Sequence, residues 1–169
     1  MWKTAMVETG ADLLQRYGSG ERDFSNSQLA GADLAGADLA GIDLGGSILR
    51  QAKLASANLE RAYLSGADLS QADLQGSNLR LANLEKAKLQ GSRLQGANLR
   101  GANLAEADLS EADLSQADLA GANLTGANLR GALLAQCKLK LANLRGACYD
   151  ATTQMEAGVT PVELGMVQA

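Results

Sequence analysis

The sequence predicts an all-β fold, a solenoid whose backbone turns the same way after every five residues. Three regularities carry that expectation. Leucine occupies every fifth position from Leu29 to Leu144, 24 in succession. Two residues before each stands a small residue, nearly always alanine or serine, as at Ala32 and Ala97. Phe24 and Tyr149 extend the same register one step beyond either end. An α-helix cannot bury this series, because a step of five advances the side chain by about 140° net and scatters it around the cylinder. A flat strand cannot bury it either: faces alternate with period two, so leucines five apart would point to opposite sides. A chain that bends inward after each pentapeptide returns every leucine to a common axis. The small residues then fill the space between leucines, and the coils stack about 4.8 Å apart.

The unit A-[DN]-L-x-x is explicit in Ala32-Asp33-Leu34, Ala97-Asn98-Leu99, Ala117-Asp118-Leu119 and Ala127-Asn128-Leu129. It resembles the pentapeptide-repeat proteins, more the abundant cyanobacterial type than the group that binds gyrase. The resemblance covers residues 22–151 and implies a right-handed quadrilateral parallel β-helix, four pentapeptides to a coil. On that basis 26 units make about six and a half coils, a rod on the order of 30 Å long.

Taken in order, residues 1–21 read as an N-terminal helical cap, 22–151 as the β-helix and 152–169 as a C-terminal cap, all one domain. An open solenoid end exposes core side chains and unpaired backbone, so the ends must differ from the middle. Residues 2–17 fit a short amphipathic capping helix with Trp2, Met6, Leu13, Leu14 and Tyr17 as apolar contacts. Phe24 and Tyr149 replace leucine where a terminal coil has room for a ring. Glycine is frequent at the fifth repeat position, as at Gly96, where a tight turn calls for φ > 0. Leu94 and Ala97 are assigned to the core, and Gln95 to an outward turn position that tolerates alanine. The C-terminal cap carries Val159, Val162, Leu164 and Met166. The lone Pro161 lies outside the repeats, where a missing ladder N–H does no harm.

Several function classes lose their chemistry. The chain has no histidine, which removes the commonest general base and metal ligand. Gly18-Ser19-Gly20 lacks the context of a phosphate-binding loop. The polar residues before each leucine fall into ladders, Asn58-Asn78-Asn98 on one side and Asp33-Lys53-Asp73-Arg93-Asp113 on another. Their expected role is bonding to turn backbone and neighbouring rungs, not metal binding or hydrolysis. No enzyme, no cofactor and no metal are expected. The N-terminus has no apolar core of a secretory signal and no run approaches a membrane span, so a cytoplasmic protein is expected. Cys137 points inward and Cys148 outward, which separates them and fits a reducing compartment.

The outward charges change sign in blocks. Arg80, Lys86, Lys88, Arg93 and Arg100 form a basic band, Glu106, Asp108, Glu111, Asp113 and Asp118 an acidic one, and Arg130, Lys138, Lys140 and Arg145 a second basic one. With twenty residues to a coil, the blocks become rough rings, a candidate contact surface for a protein partner. Leu133 and Leu141, apolar at outward positions, are the other candidates, with Tyr63 weaker. Some relatives imitate duplex DNA and bind type II topoisomerases. About 30 Å of duplex presents roughly 18 negative charges, whereas residues 22–151 hold 14 acidic and 13 basic side chains, net −1. The expectation is therefore a non-enzymatic structural or protein-interaction module with an unknown protein partner, a monomer or weak end-to-end dimer. No direct binding to nucleic acid or membrane is expected. A DNA-mimicking modulator of DNA gyrase is the alternative.

Overall fold

The computed structural model describes residues 7–169. Within the repeats each pentapeptide makes one side of a coil and one corner. At the side, the leucine N–H donates upward and the preceding residue's N–H donates downward: Leu74 to the Arg93 carbonyl at 2.8 Å, Asp73 to the Ala52 carbonyl at 2.9 Å. At the corner a β-turn closes, as where Ala97 N–H donates to the Leu94 carbonyl at 3.0 Å. Its third residue, Gly96, has φ +65°, the left-handed value such a turn requires.

Because side and corner repeat every five residues, residue i pairs in parallel with residue i+20 on four sides. The first side runs from Asp23 to Asn143, the second from Gln28 to Cys148, the third from Asp33 to Gln154 and the fourth from Asp38 to Lys138. Each side is too short for a conventional strand, since one paired residue is followed almost at once by a corner. Among the described residues, two-residue strands occur only at the C-terminal end, where β1 (Cys148–Tyr149) pairs in parallel with β2 (Val167–Gln168).

The leucines form a dry axial column. Leu29 through Leu134 in the five-residue register are fully buried, and alanines such as Ala52, Ala97 and Ala127 line the same interior. Leu139, near the C-terminal end, is only half-buried. The inward serines are not equivalent. Ser47 hydroxyl donates to the Phe24 carbonyl at 3.0 Å and accepts from Ser27 N–H at 3.0 Å. The hydroxyls of Ser77 and Ser92 are buried without a partner among the described residues.

The N-terminal helix is α1 (Gly10–Gly18), which starts later than residues 2–17 suggest. Thr9 supplies the reason: its hydroxyl accepts from Asp12 N–H at 3.1 Å and fixes the first turn there. Ahead of it Val7 is buried, and its carbonyl accepts from Gln28 N–H at 2.9 Å, laying extended chain on the first coil. Leu13 is buried and Tyr17 donates to the Ala40 carbonyl at 2.8 Å, but Leu14 is 40% exposed. Trp2 and Met6 lie outside the described residues. Gly10 lets the helix sit close, since a Cβ there would stand 2.9 Å from the Asp33 carbonyl oxygen.

The repeat ends with a one-residue slip. Leu133 pairs with Gln154, 21 residues on, while every earlier rung spans 20. Asp150 absorbs the extra residue: its Oδ1 accepts from Thr152 N–H at 2.9 Å, Thr153 N–H at 3.1 Å and Gly131 N–H at 3.2 Å. Thr153 hydroxyl donates to the Leu129 carbonyl at 3.0 Å. Beyond it a 3₁₀ turn, Pro161–Leu164, crosses the end of the rod and brings Met166 into the core.

Two stability outcomes follow from this packing. Leu94→Ala costs about 2–5 kcal/mol in a urea melt, and Ala97→Leu destabilises by overpacking. Ser92→Ala and Ser77→Ala do the opposite, gaining about 1 kcal/mol because each removes a buried hydroxyl with no partner.

Candidate interaction surface

Outward side chains are held at fixed spacing by the ladders beneath them, and most carry two jobs. Nearly every Asp or Asn that precedes a leucine accepts a backbone N–H two residues on, as Asp73 does from Gln75 at 3.1 Å and Asn98 from Arg100 at 3.3 Å. The same side chain reaches its neighbour one coil away. Asn78 amide donates to Asn58 at 3.0 Å and Asn98 to Asn78 at 3.2 Å, the expected amide ladder. On the third side Lys53 meets Asp33 at 3.4 Å and Arg93 meets Asp73 at 3.4 Å.

The charge bands follow from this geometry. A block of one sign followed about twenty residues later by the other places opposite charges on adjacent rungs. Lys86 reaches Glu106 at 3.7 Å across that interval. Asp118 is held from below by Arg100 at 3.3 Å and from above by Lys138 at 3.7 Å. Asp108 accepts from Ser110 hydroxyl at 2.6 Å and from the Asn128 amide at 2.9 Å. Asp113 takes Ser115 N–H at 3.0 Å and the Gln95 side-chain amide. Gln95 is thus half-buried and engaged, contrary to its reading as a free outward residue. Of the acidic ring, Glu111 alone has no ion pair or side-chain hydrogen bond among the described residues and stands exposed.

Carboxyl acidity reflects the same bonds. Burial pushes the Asp113 and Asp118 carboxyls up, but hydrogen bonds outweigh it and hold both below the ordinary value, from Ser115 and Gln95 in one and Ala120 N–H and Arg100 in the other. Asp68, 6% exposed, behaves alike: burial is overcome by Ser70 and by Arg50, whose Nε lies 2.6 Å away. At the C-terminal slip the Thr152 hydroxyl, aided by the surrounding N–H groups against burial, lowers Asp150 to about 2.

The apolar candidates do not form one patch. Leu133 is half-buried on the third side, with the Asp113 rung below and Gln154 above. Leu141 is 85% exposed at the corner between the fourth and first sides, where Leu81, 42% exposed, also lies. Tyr63, 57% exposed, stands on the first side. That side carries Asn83, Asn103, Asn123 and Asn143 above Tyr63 and is uncharged along its centre line there. Cys137 thiol donates to the Leu114 carbonyl at 2.8 Å, and burial pushes it up to about 11, far from a reactive thiolate. An open groove of about 710 Å³ runs beside the second side, with Arg50, Asp68, Lys88 and a Gln51–Gln71 hydrogen bond of 3.0 Å on its walls. Among the described residues no group of three or more acidic or cysteine side chains is placed to hold a metal, and no helix is long and apolar enough to cross a membrane.

The family model for pentapeptide repeats matches in eight copies between residues 22 and 148. The chain therefore belongs to the pentapeptide-repeat proteins. A pentapeptide-repeat protein of Nostoc PCC 7120 is 31% identical over 96% of this chain and 98% of that one, with a TM-score of 0.40. One from the cyanobacterium Cyanothece 51142 is 40% identical, the match covering 56% of this chain and 61% of that one, with a TM-score of 0.47. QnrB1, a plasmid-mediated fluoroquinolone resistance protein, has a TM-score of 0.63 over 88% of this chain and 86% of that one at 19% identity, a likeness of fold alone. A search of curated proteins gave no match.

The Asp150 cluster sets an acid dependence. A carboxyl whose folded pKa lies below its unfolded value of about 3.9 stabilises above that value and loses the contribution as pH falls through the folded pKa. With Asp150 at about 2, the loss falls between about pH 4 and pH 2. Thermal melts are expected to show Asp150→Ala lowering Tm at pH 7, with the gap to the unaltered chain closing by about pH 2.

Proposed function

We propose that this pentapeptide-repeat chain is a non-enzymatic interaction module, a rigid right-handed rod that presents a preorganised surface to a protein partner. The observation that carries the reading is the double duty of the outward polar residues. Most of the Asp and Asn residues before the leucines are tied to their own turn and to a neighbouring coil, so binding need not freeze those side chains or flexible loops, which ordinarily costs about 0.5–1.5 kcal/mol per ordered side chain. Two unpaired cysteines, one of them half-buried and unreactive, favour a reducing, cytoplasmic setting.

The competing reading is a DNA surrogate acting on a type II topoisomerase, prompted by the fold shared with QnrB1. A surrogate needs uncompensated negative charge along its length. Here the acidic ring is answered on both flanks, Glu106 by Lys86 and Asp118 by Arg100 and Lys138. Charge thus favours the partner-binding rod over the surrogate.

A DNA-gyrase supercoiling assay, with and without a fluoroquinolone, separates the two. The expected result is unchanged supercoiling and unchanged drug inhibition up to micromolar protein. Inhibition or protection at stoichiometric protein would overturn the reading. Affinity capture from the native cell extract is the positive arm, with retention of a discrete partner expected.

A further inference from the structure

The four sides of the rod do not end together. Among the described residues the first and third sides carry seven paired rungs, the second, with Val167, eight, and the fourth only six, stopping at Lys138. The second and third sides are covered by β2 and by Gln154, and the first is met at its corner, where Gly146 N–H donates to the Gly165 carbonyl at 2.9 Å. Among the described residues nothing continues the fourth.

Four observations meet on that side. First, the backbone N–H groups of Gln136, Leu139 and Leu141 make no hydrogen bond among the described residues, although their counterparts one coil below all do. There Gln116, Leu119 and Gly121 donate to the carbonyls of Ala135, Lys138 and Lys140 at 2.9, 3.0 and 2.9 Å. Second, Leu139 is half-buried while the leucines beneath it are sealed. It borders a cavity of about 270 Å³ lined chiefly by Leu134, Cys137, Met155, Val159 and Leu164, with Lys140 and Glu156 contributing the polar wall. Third, Leu141 is 85% exposed. Leu81, at the same corner, lies within 2.9 Å of where a Gly101 side chain would begin, so corner leucines lean over the next coil, and Leu141 has none. Fourth, Lys138 has Asp118 beneath it at 3.7 Å and, among the described residues, no partner on a rung above.

We propose that this open edge is a docking site for an extended segment of a partner protein, added as the missing rung, with Asp or Glu immediately before an apolar residue. The acidic residue pairs with Lys138 from above as Asp118 does from below, its carbonyl accepts the Leu139 N–H, and the apolar residue enters the cavity beside Leu139. Unpaired strand edges bind extended peptides through main-chain hydrogen bonds, and the pocket supplies side-chain selection. A second copy of the same end is the poorer occupant, because head-to-head stacking turns Lys138 and Lys140 toward their own copies. The proposal rests on the interaction-module reading and gives it a place and a partner chemistry.

The chain contains a template for the ligand. Residues 115–120 pair with the coil below: Gly96, Leu99 and Gly101 N–H groups donate to the carbonyls of Ser115, Asp118 and Ala120 at 3.0, 2.8 and 3.0 Å. The probe is therefore an acetylated, amidated nonapeptide with the sequence of residues 115–123, titrated into the ¹⁵N-labelled full chain. Amide shifts and slowed exchange confined to Gln136, Leu139, Leu141 and their neighbours are expected. Methylating the peptide nitrogen at the aspartate, or replacing that aspartate by lysine, is expected to weaken binding about tenfold or more. Lys138→Glu should invert the preference between the acidic and basic peptides. No perturbation of these amides at about 1 mM peptide, or equal binding by the N-methylated peptide, overturns the proposal. Sedimentation showing a dimer that protects the same amides assigns the edge to a second copy and overturns it too. A partner still captured by the rod while the peptide fails would sink the docking site alone and leave the interaction module standing.

Discussion

Everything in this rod depends on one hydrogen-bond relation, the donation of each leucine N–H from Leu29 to Leu129 to a carbonyl 19 residues further along, as from Leu74 to Arg93. It locks adjacent coils in register, and register is what keeps the leucines on one axis. The corners show how strongly it dominates. Twelve of the described residues that are not glycine, Gln51, Arg61, Lys86 and Leu141 among them, hold φ between +56° and +62° at corners. Left-handed backbone costs a residue with a side chain roughly 1–2 kcal/mol. Local preference would straighten those corners, yet each stays bent because straightening one would misplace the rungs above and below. The tolerance for Gln, Lys or Leu at a position that favours glycine is thus a measure of inter-coil cooperation.

The electrostatics obey the same relation. A ladder that repeats every twenty residues turns sequence distance into axial contact, so most ion pairs of the rod join residues one coil apart. Arg80 and Glu60, 2.7 Å apart, and Lys138 and Asp118, 3.7 Å apart, are both such pairs. Exposed pairs of this kind contribute little individually, about 0–1 kcal/mol each. Their larger consequence is for recognition: charge consumed within the rod is not free to steer a partner. The first side, with its asparagine ladder above Tyr63, and Lys140 at the C-terminal end remain outward-looking.

Much of this is legible in the sequence because the repeat is a geometric statement. The period of five requires an axis, and it places Asn58, Asn78 and Asn98 in one ladder and Asp33 and Lys53 in contact. Features that depend on a single local bond are harder to read. Apolar spacing extends the expected helix back to residue 2, but Thr9 caps the chain at Gly10 and leaves Leu14 40% exposed. Gln95 looks like any turn residue until the fold brings Asp113 above its amide. Leu133 and Leu141 are close in sequence, whereas the four-sided section separates them, one on the third side and the other at the corner beyond the fourth. The twenty-residue period that separates them is already present in the chain, visible to a reading taken around the coil and hidden from one taken along it. The slip at Asp150 has no periodic signal at all, only an Asp-Ala-Thr-Thr run whose bonding becomes visible in three dimensions.

A repeat also confines individuality. In the middle of the rod every position is answered by equivalents above and below, so substituting one mid-rod side chain for another changes stability more readily than it creates a new surface. The ends have no such neighbours. There the chain departs from the repeat: Val7 and α1 overlie the first coil, Asp150 inserts an extra residue, and residues 155–166 cross the last coil without pairing with the backbone of its fourth side. A rod of identical units can be specific only where the identity breaks. The unfinished fourth side is such a break, and it joins free backbone donors, an apolar cavity and a lysine unanswered from above within one corner of the molecule.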